Sequence, residues 1–238
     1  MAIANRSVHR ALQILDLLAD SAEPVGLARI AAELSIPKST AHGILAALVE
    51  TQYVEVAAGG HRLGLHAFET GSSYARHLDV AAAAEPELKQ LTDRLGVTAH
   101  FAVLDQGDVV YIAKHDPPRA GVQLASSVGA RLPAEETAVG KAQLANRGDT
   151  LDDSITDRAL LLELEEIRGR GFAVDEGQTA PGVRCVAAPV FSARGCVGAV
   201  GVSAWLDPAV DVDAIGQAVI EAAAAASGRL GARMRSRT

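Results

Sequence analysis

The sequence predicts an α+β protein in two parts, and three observations carry that prediction. Before residue 51, apolar residues recur at helical spacing in three short runs separated by turn residues. Two β-rich runs then flank a Gly-Gly pair between residues 53 and 63. Beyond residue 79, helical and strand-like runs alternate, which points to a mixed sheet flanked by helices.

The first run holds Val8, Ala11, Leu12, Ile14, Leu15, Leu17 and Leu18 on one face of a helix, with Ser7 expected as its N-cap. Ser21 to Gly26 breaks it, and Leu27, Ile30, Ala31 and Leu34 mark a second, short amphipathic helix. Ser35-Ile36-Pro37 is a tight connector, with Pro37 suited to the first position of the next helix. That third helix is expected over Lys38–Glu50, with Ala41, Ile44, Leu45 and Leu48 facing inward. A short helix, a tight turn and a helix that starts with small polar residues make the helix-turn-helix pattern. Tyr53–Val56 and His61–Leu63 around Ala57-Ala58-Gly59-Gly60 add a β-hairpin wing. The expected division is a winged helix-turn-helix domain over 1–64, a linker helix over 65–79 and a second domain over 80–238. Ala67, Gly71 and Ala75 recur every four residues along the linker, a spacing that suits close packing on another helix, in the same subunit or a second copy.

In the second domain a helix is expected over 81–95, ending before Gly96, with strands at Thr98–Leu104 and Val109–Lys114 joined by the turn Asp105-Gln106-Gly107-Asp108. A strand at Val122–Leu124, a helix near Thr137–Asn146 and a helix over Asp157–Arg170 follow, the last capped by Gly171. A strand at Phe172–Asp175, a hairpin turning at Ser192–Gly195 and a long Ala-rich helix from Asp211 complete the domain, with a pocket expected between sheet and loops. In that hairpin Cys196 is set to face Phe191, and Cys185 to face about Val202, so the two cysteines are not disulfide partners. Unpaired thiols agree with a reducing compartment.

Composition narrows the classes. A length of 238 residues fits one large or two small domains at roughly 100–200 residues each. With 49% hydrophobic and 21% charged residues the chain is not disordered as a whole. No apolar run approaches the roughly 20 residues that span a bilayer, and the first 20 residues carry Asp16 and Asp20 instead of a signal-peptide core. A cytoplasmic location with no membrane partner is expected. The net charge of -7 argues against nucleic acid only as a whole-chain sum. Residues 1–64 hold five Lys and Arg against six Asp and Glu, so the acidity lies mainly beyond residue 64.

Lys38, Ser39, Thr40 and His42 cluster at the start of the third helix. Hydroxyls, a Lys and helix-end amides there suit phosphates and base edges in a major groove; Ser39 and Thr40 would equally serve as caps of an exposed helix. Arg6, Arg10, Arg29 and Arg62 can add phosphate contacts, or stand as solvated charges. Backbone amides near Thr137–Val139 could hold an oxygen of a small ligand, although Glu135 and Glu136 beside them would repel an anion. A cysteine-dependent enzyme built on Cys185 or Cys196 is the alternative of another class, with His100 and His115 as the candidate bases in that domain. Against it, the chain has no Cys-x-x-Cys, no Gly-rich phosphate loop and no His-x-x-x-His spacing, so no enzyme, cofactor or metal is expected. A ligand-sensing module without DNA binding is the other alternative, against which the helix-turn-helix pattern weighs.

The runs Val8–Leu15, Leu27–Ala31, Pro37–His42, Leu48–Glu50 and Tyr53-Val54, followed in order by Leu132-Pro133, Thr137–Ala142, Ile167-Arg168, Gly171–Asp175 and Gly182–Val190, resemble IclR-type transcriptional regulators over nearly the whole chain. The resemblance implies a GAF/PAS-like effector-binding domain behind the winged helix-turn-helix, homodimers or homotetramers on a double-stranded DNA operator, and a small-molecule effector, a metabolite such as an organic acid or an aromatic. It implies a regulator, a repressor by expectation; the residues themselves point to DNA contacts at Arg6, Arg10, Lys38, Ser39, Thr40, His42 and Arg62. Effector contacts are implied at Ala138, Val139, Asp175, Cys185 and Ser203, although Cys185 and Ser203 would equally serve as plain sheet packing. The chain departs from the family pattern at Gly43, which stands where an Arg is usual, at Gln52, at Glu135 and around Gly177-Gln178.

Overall fold

In the computed structural model, residues 5–76, 79–118, 127–146, 157–205 and 211–232 are described. The chain divides into two compact units, Met1–His77 and Leu78–Thr238.

The first unit comprises α1 (Arg6–Ala19), α2 (Leu27–Glu33), α3 (Lys38–Glu50), the hairpin β1 (Val54–Ala57) and β2 (Gly60–Leu63), and α4 (Leu65–Arg76). Its core is Ile14, Leu18, Val25, Ile30, Leu45 and Val54, the inward positions of the three predicted helical runs plus two residues beside the wing. The cap of α1 is Asn5, whose Oδ1 accepts from Val8 N–H at 3.3 Å, and not Ser7. The helix starts two residues earlier than its apolar periodicity because capping is fixed by side-chain geometry rather than by hydrophobic spacing. Pro37 is likewise the N-cap of α3, in extended conformation, and Lys38 is the first helical residue.

The wing has a third strand-like partner that the sequence did not suggest. Val25 and His61 exchange both backbone hydrogen bonds, at 2.8 and 2.9 Å, which anchors β2 to the turn before α2. Gly60 permits this approach, since a Cβ there would lie 2.4 Å from the Val25 carbonyl. On the other side, the Tyr53 hydroxyl lies 3.0 Å from Thr70 Oγ1 and its ring meets His66 edge-on at 4.7 Å. Those contacts hold α4 to the wing.

The second unit holds α5 (Asp79–Leu95), β3 (Thr98–Asp105), β4 (Asp108–His115), β5 (Arg131–Pro133), a short 3-10 turn Ala134–Glu136, α6 (Ala138–Leu144), α7 (Arg158–Arg170), β6 (Ala173–Glu176), β7 (Val183–Ser192), β8 (Gly195–Trp205) and α8 (Val212–Arg229). The strands form one six-stranded sheet in the order β5-β4-β3-β8-β7-β6. The α+β architecture stands, but every pairing among the described strands is antiparallel instead of mixed. The helical connection through α6 and α7 joins β5 to β6 at opposite edges, so it never places two parallel neighbours side by side.

Strand alternation separates two cores. Ala99, Phe101, Val186, Ala188, Val200 and Val202 face α5 and α8. Ala102, Tyr111, Ala173, Ala187 and Ala199 face α6 and α7 with Ala138, Val139 and Ala142. The Ala-rich α8 lets that helix lie close on the sheet. Gly171 ends α7 in the left-handed region, at φ 90°, as its sequence position predicts. The strand expected at Val122–Leu124 and the basic residues Arg233, Arg235 and Arg237 lie outside the described residues.

Candidate functional site

On the first unit, burial of Ala41 and Leu45 fixes the orientation of α3. Lys38, Ser39, His42, Gly43 and Ala46 are left exposed, with Thr40 half-buried at the edge of that surface. Arg6 and Arg10 lie on α1, exposed and partly exposed. Arg62 stands on β2 directly across from Glu55, and their side chains form an ion pair. Arg29 is 3.5 Å from Glu33 one turn along α2. Two of the four arginines that sequence pointed to are therefore partly neutralised within the chain. At Gly43 an added Cβ meets nothing within 4 Å, so the position is open on the outer face of α3.

On the second unit, strand register assembles a polar row. Thr98 on β3 pairs with Ser203 on β8, Ser203 pairs with Cys185 on β7, and Cys185 pairs with Asp175 on β6. All four lie on the side of the sheet that faces α6. Cys185 thus faces Ser203 and not Val202, because a bulge between Val190 and Phe191 shifts the hairpin register by one; the Phe191–Cys196 pairing is as expected. Neither cysteine is in a disulfide.

The row combines a neutral thiol and two hydroxyls with one carboxylate, that of Asp175. Cys185 Sγ lies 3.2 Å from Ser203 Oγ, and burial pushes its thiol up to about 11. It is a protonated thiol, unlike the thiolate that nucleophilic catalysis requires. Asp175, 1% exposed, accepts from Gln178 N–H at 2.7 Å and Thr179 N–H at 3.3 Å, and lies 2.6 Å from Thr179 Oγ1. Its carboxylate therefore shapes the loop after β6. Thr179 Oγ1 also lies 3.1 Å from the Glu136 carbonyl, which ties that loop to the entry of α6.

Ala138 and Val139 open α6 and are buried against the sheet. Thr137 caps this helix, its hydroxyl accepting from Gly140 N–H at 3.0 Å. Lys141, 2% exposed, is compensated by Glu163 at 2.8 Å and by Gln178 Oε1 at 2.5 Å. The departure at Gln178 thus gives this lysine an amide oxygen as its second partner.

Two residues beside the row lie outside the expected effector contacts, His100 having entered only as a candidate base of the enzyme alternative. His100 on β3 is 1% exposed, and its Nδ1 has no hydrogen-bond partner. A buried polar atom left so costs on the order of 1–3 kcal/mol. Burial, with the Lys114 charge, pushes the imidazole down to about 4. Tyr111 on β4 meets the His100 ring edge-on at 5.2 Å. Its phenol is pushed up by burial, then by the nearby Cys185 and Asp175, so it is a neutral hydroxyl. A methyl placed on Gly201 would lie 2.7 Å from His100 Nε2 and 2.9 Å from Val139 Cγ1, so the imidazole, the start of α6 and β8 converge there. The sequence signal for His100 was its two-residue spacing from Thr98 in a strand, which puts both on one face.

A winged helix-turn-helix joined to a helix-flanked sheet with a buried polar row defines a class, the DNA-binding transcriptional regulators that carry a second, ligand-sensing domain. Residues 7–57 match the family model described as the IclR helix-turn-helix domain, and residues 72–227 match that of the bacterial transcriptional regulator IclR C-terminal domain. The chain belongs to the IclR family.

Among its relatives, the HTH-type transcriptional regulator XynR of Escherichia coli K12 is 32% identical over 204 residues, covering 79% of this chain and 81% of that protein. The glycerol operon regulatory protein of Streptomyces coelicolor is 32% identical over 214 residues, covering 83% and 84%. A crystal structure of a putative transcriptional regulator from Rhodococcus sp. RHA1 superimposes with a TM-score of 0.81 at 26% identity, covering 95% of this chain and 98% of that one. These relatives are regulators and not enzymes, which removes the cysteine-enzyme alternative. Among the described residues no helix is long and apolar enough to cross a membrane.

Proposed function

We propose that the protein is a cytoplasmic repressor that binds a double-stranded operator through α3 and the wing, and that a small molecule held by the second unit changes that binding. The observation that carries the first half is the exposed set Lys38, Ser39 and His42 at the start of α3, with Thr40 half-buried at its edge. Arg6 and Arg10 supply nearby cations, and Arg62 does so when it releases Glu55. Phosphate contacts of this kind position a helix, while Ser, Thr and His read base edges.

The second half is supported by the row Asp175, Cys185 and Ser203, with Ala138 and Val139 beside it at the start of α6. Asp175 acts through the loop it organises, whereas Cys185 and Ser203 offer a thiol and a hydroxyl. Repression agrees with relatives such as the transcriptional repressor IclR of E. coli K12. Self-association as a homodimer or homotetramer is supported by Val8 and Leu12 on α1 and Leu65 and Phe68 on α4, all more than half exposed. A ligand controls such an assembly only by binding one arrangement of subunits better than another.

The test is a DNA titration with duplex from the region upstream of its own gene, repeated with a panel of small acids, alcohols and aromatics. Binding that weakens with at least one compound, at a concentration that also raises the thermal midpoint, is the expected outcome. No duplex binding at low salt would reject the reading.

A further inference from the structure

We propose that His100, together with the Tyr111 hydroxyl, is the part of the second unit's site that recognises an uncharged hydroxyl group on the effector. This inference rests on the regulatory reading above and deepens it.

His100 is buried in the sheet with Nδ1 unpartnered. A protein interior satisfies such atoms, so one left over beside a row of thiol and hydroxyl groups marks a place for a ligand's polar atom. Its surroundings tie it to that row, since it shares a face of β3 with Thr98, lies against Val139 across Gly201, and contacts the Tyr111 ring. The Tyr111 hydroxyl lies close enough to Cys185 and Asp175 for both to act on its ionisation.

The chemistry selects the ligand class. A neutral imidazole nitrogen and a neutral phenol together offer one donor and one acceptor, which matches a hydroxyl group that both donates and accepts. An anion fits poorly. It would gain no positive charge from the imidazole, which burial keeps neutral, and it would meet the Asp175 carboxylate. The frame beneath is apolar and small, formed by Ala102, Ala187, Gly201 and Val139.

Phenol and cyclohexanol are the probes, with benzene and benzoate as controls, measured by calorimetric or fluorescence titration on the full chain. Wild-type protein is expected to bind at least one alcohol tenfold or more tighter than benzoate. His100→Phe and Tyr111→Phe are each expected to weaken that alcohol by tenfold or more and leave benzene unchanged. Tyr111→Phe removes a single oxygen and keeps the test open where His100→Phe does not fold. Equal weakening of benzene and alcohol would mean a packing role only and would overturn the proposal. If neither alcohol binds wild type, while another compound releases DNA and binds His100→Phe undiminished, this inference fails and the regulatory reading stands. If no compound alters DNA binding, the regulatory reading itself fails and takes this one with it.

Discussion

Arg62 on β2 is ion-paired with Glu55 directly opposite it on β1, so the wing neutralises its own arginine. Both side chains are about half exposed, and pairs of this kind contribute little to stability, on the order of 0–1 kcal/mol. Their effect on DNA is larger. A phosphate that takes Arg62 must compete with Glu55, so Glu55→Gln is expected to tighten operator binding several-fold at low salt. The slope of log affinity against log salt should steepen by up to about 0.9, one additional phosphate contact. An unchanged slope would place Arg62 off the DNA.

Gly43 lies in the middle of α3 with free space around its absent Cβ. Gly43→Ala is therefore expected to stabilise the first unit by about 1 kcal/mol, the difference in helix propensity, read as a higher denaturant midpoint at unchanged slope. A loss of stability would mean that α3 is packed differently.

His100 gives the protein an acid sensitivity with a defined window. Its folded value of about 4 lies below the ordinary 6.5, so between those pH values the unfolded chain binds a proton that the folded chain does not. Its contribution is fully present above 6.5 and is lost as the pH falls toward 4, at about 1.4 kcal/mol per pH unit and about 3 kcal/mol in all. Tyr111 packs on the ring, Lys114 acts in the same direction as burial and Asp116 opposes it. His100→Asn should flatten urea stability between pH 6.5 and 4.5 relative to wild type. Parallel pH profiles for the two proteins would contradict this.

The Cys185 thiol, held protonated by burial to about 11, should react with iodoacetamide far more slowly at pH 8 than a free thiol of ordinary pKa. Mass spectrometry after timed alkylation of native protein measures this directly. Rapid modification of Cys185 at pH 8 would show an accessible thiolate and reopen the question of its reactivity.

What the sequence disclosed divides by physical cause. The helix-turn-helix was legible because Ala41, Leu45 and the other inward positions impose a helical period, and the wing because Gly59-Gly60 closes a hairpin. The pairing of Cys185 with Ser203 was missed by one residue, since a bulge at Val190–Phe191 leaves no mark in the alternation. The α1 cap at Asn5, the bridge from Val25 to His61 and the antiparallel order of the sheet depend on contacts between segments far apart or on local geometry, which periodicity does not encode. His100 and Tyr111 each sit in ordinary strand patterns. Only the register across β3, β4 and β8 brings them beside the predicted row.

The central claim is that α3 reads DNA. It is tested most directly by fluorescence anisotropy of the full chain on duplexes selected from a random pool, comparing wild type with a variant carrying Ser39→Ala, Thr40→Ala and His42→Ala. All three side chains lie outside the core of the first unit, so the variant is expected to keep its thermal midpoint. The account predicts that wild type enriches a common sequence, and that the variant binds it at least a hundredfold more weakly and without preference over random duplex. A folded variant that binds the selected sequence as wild type does would contradict it.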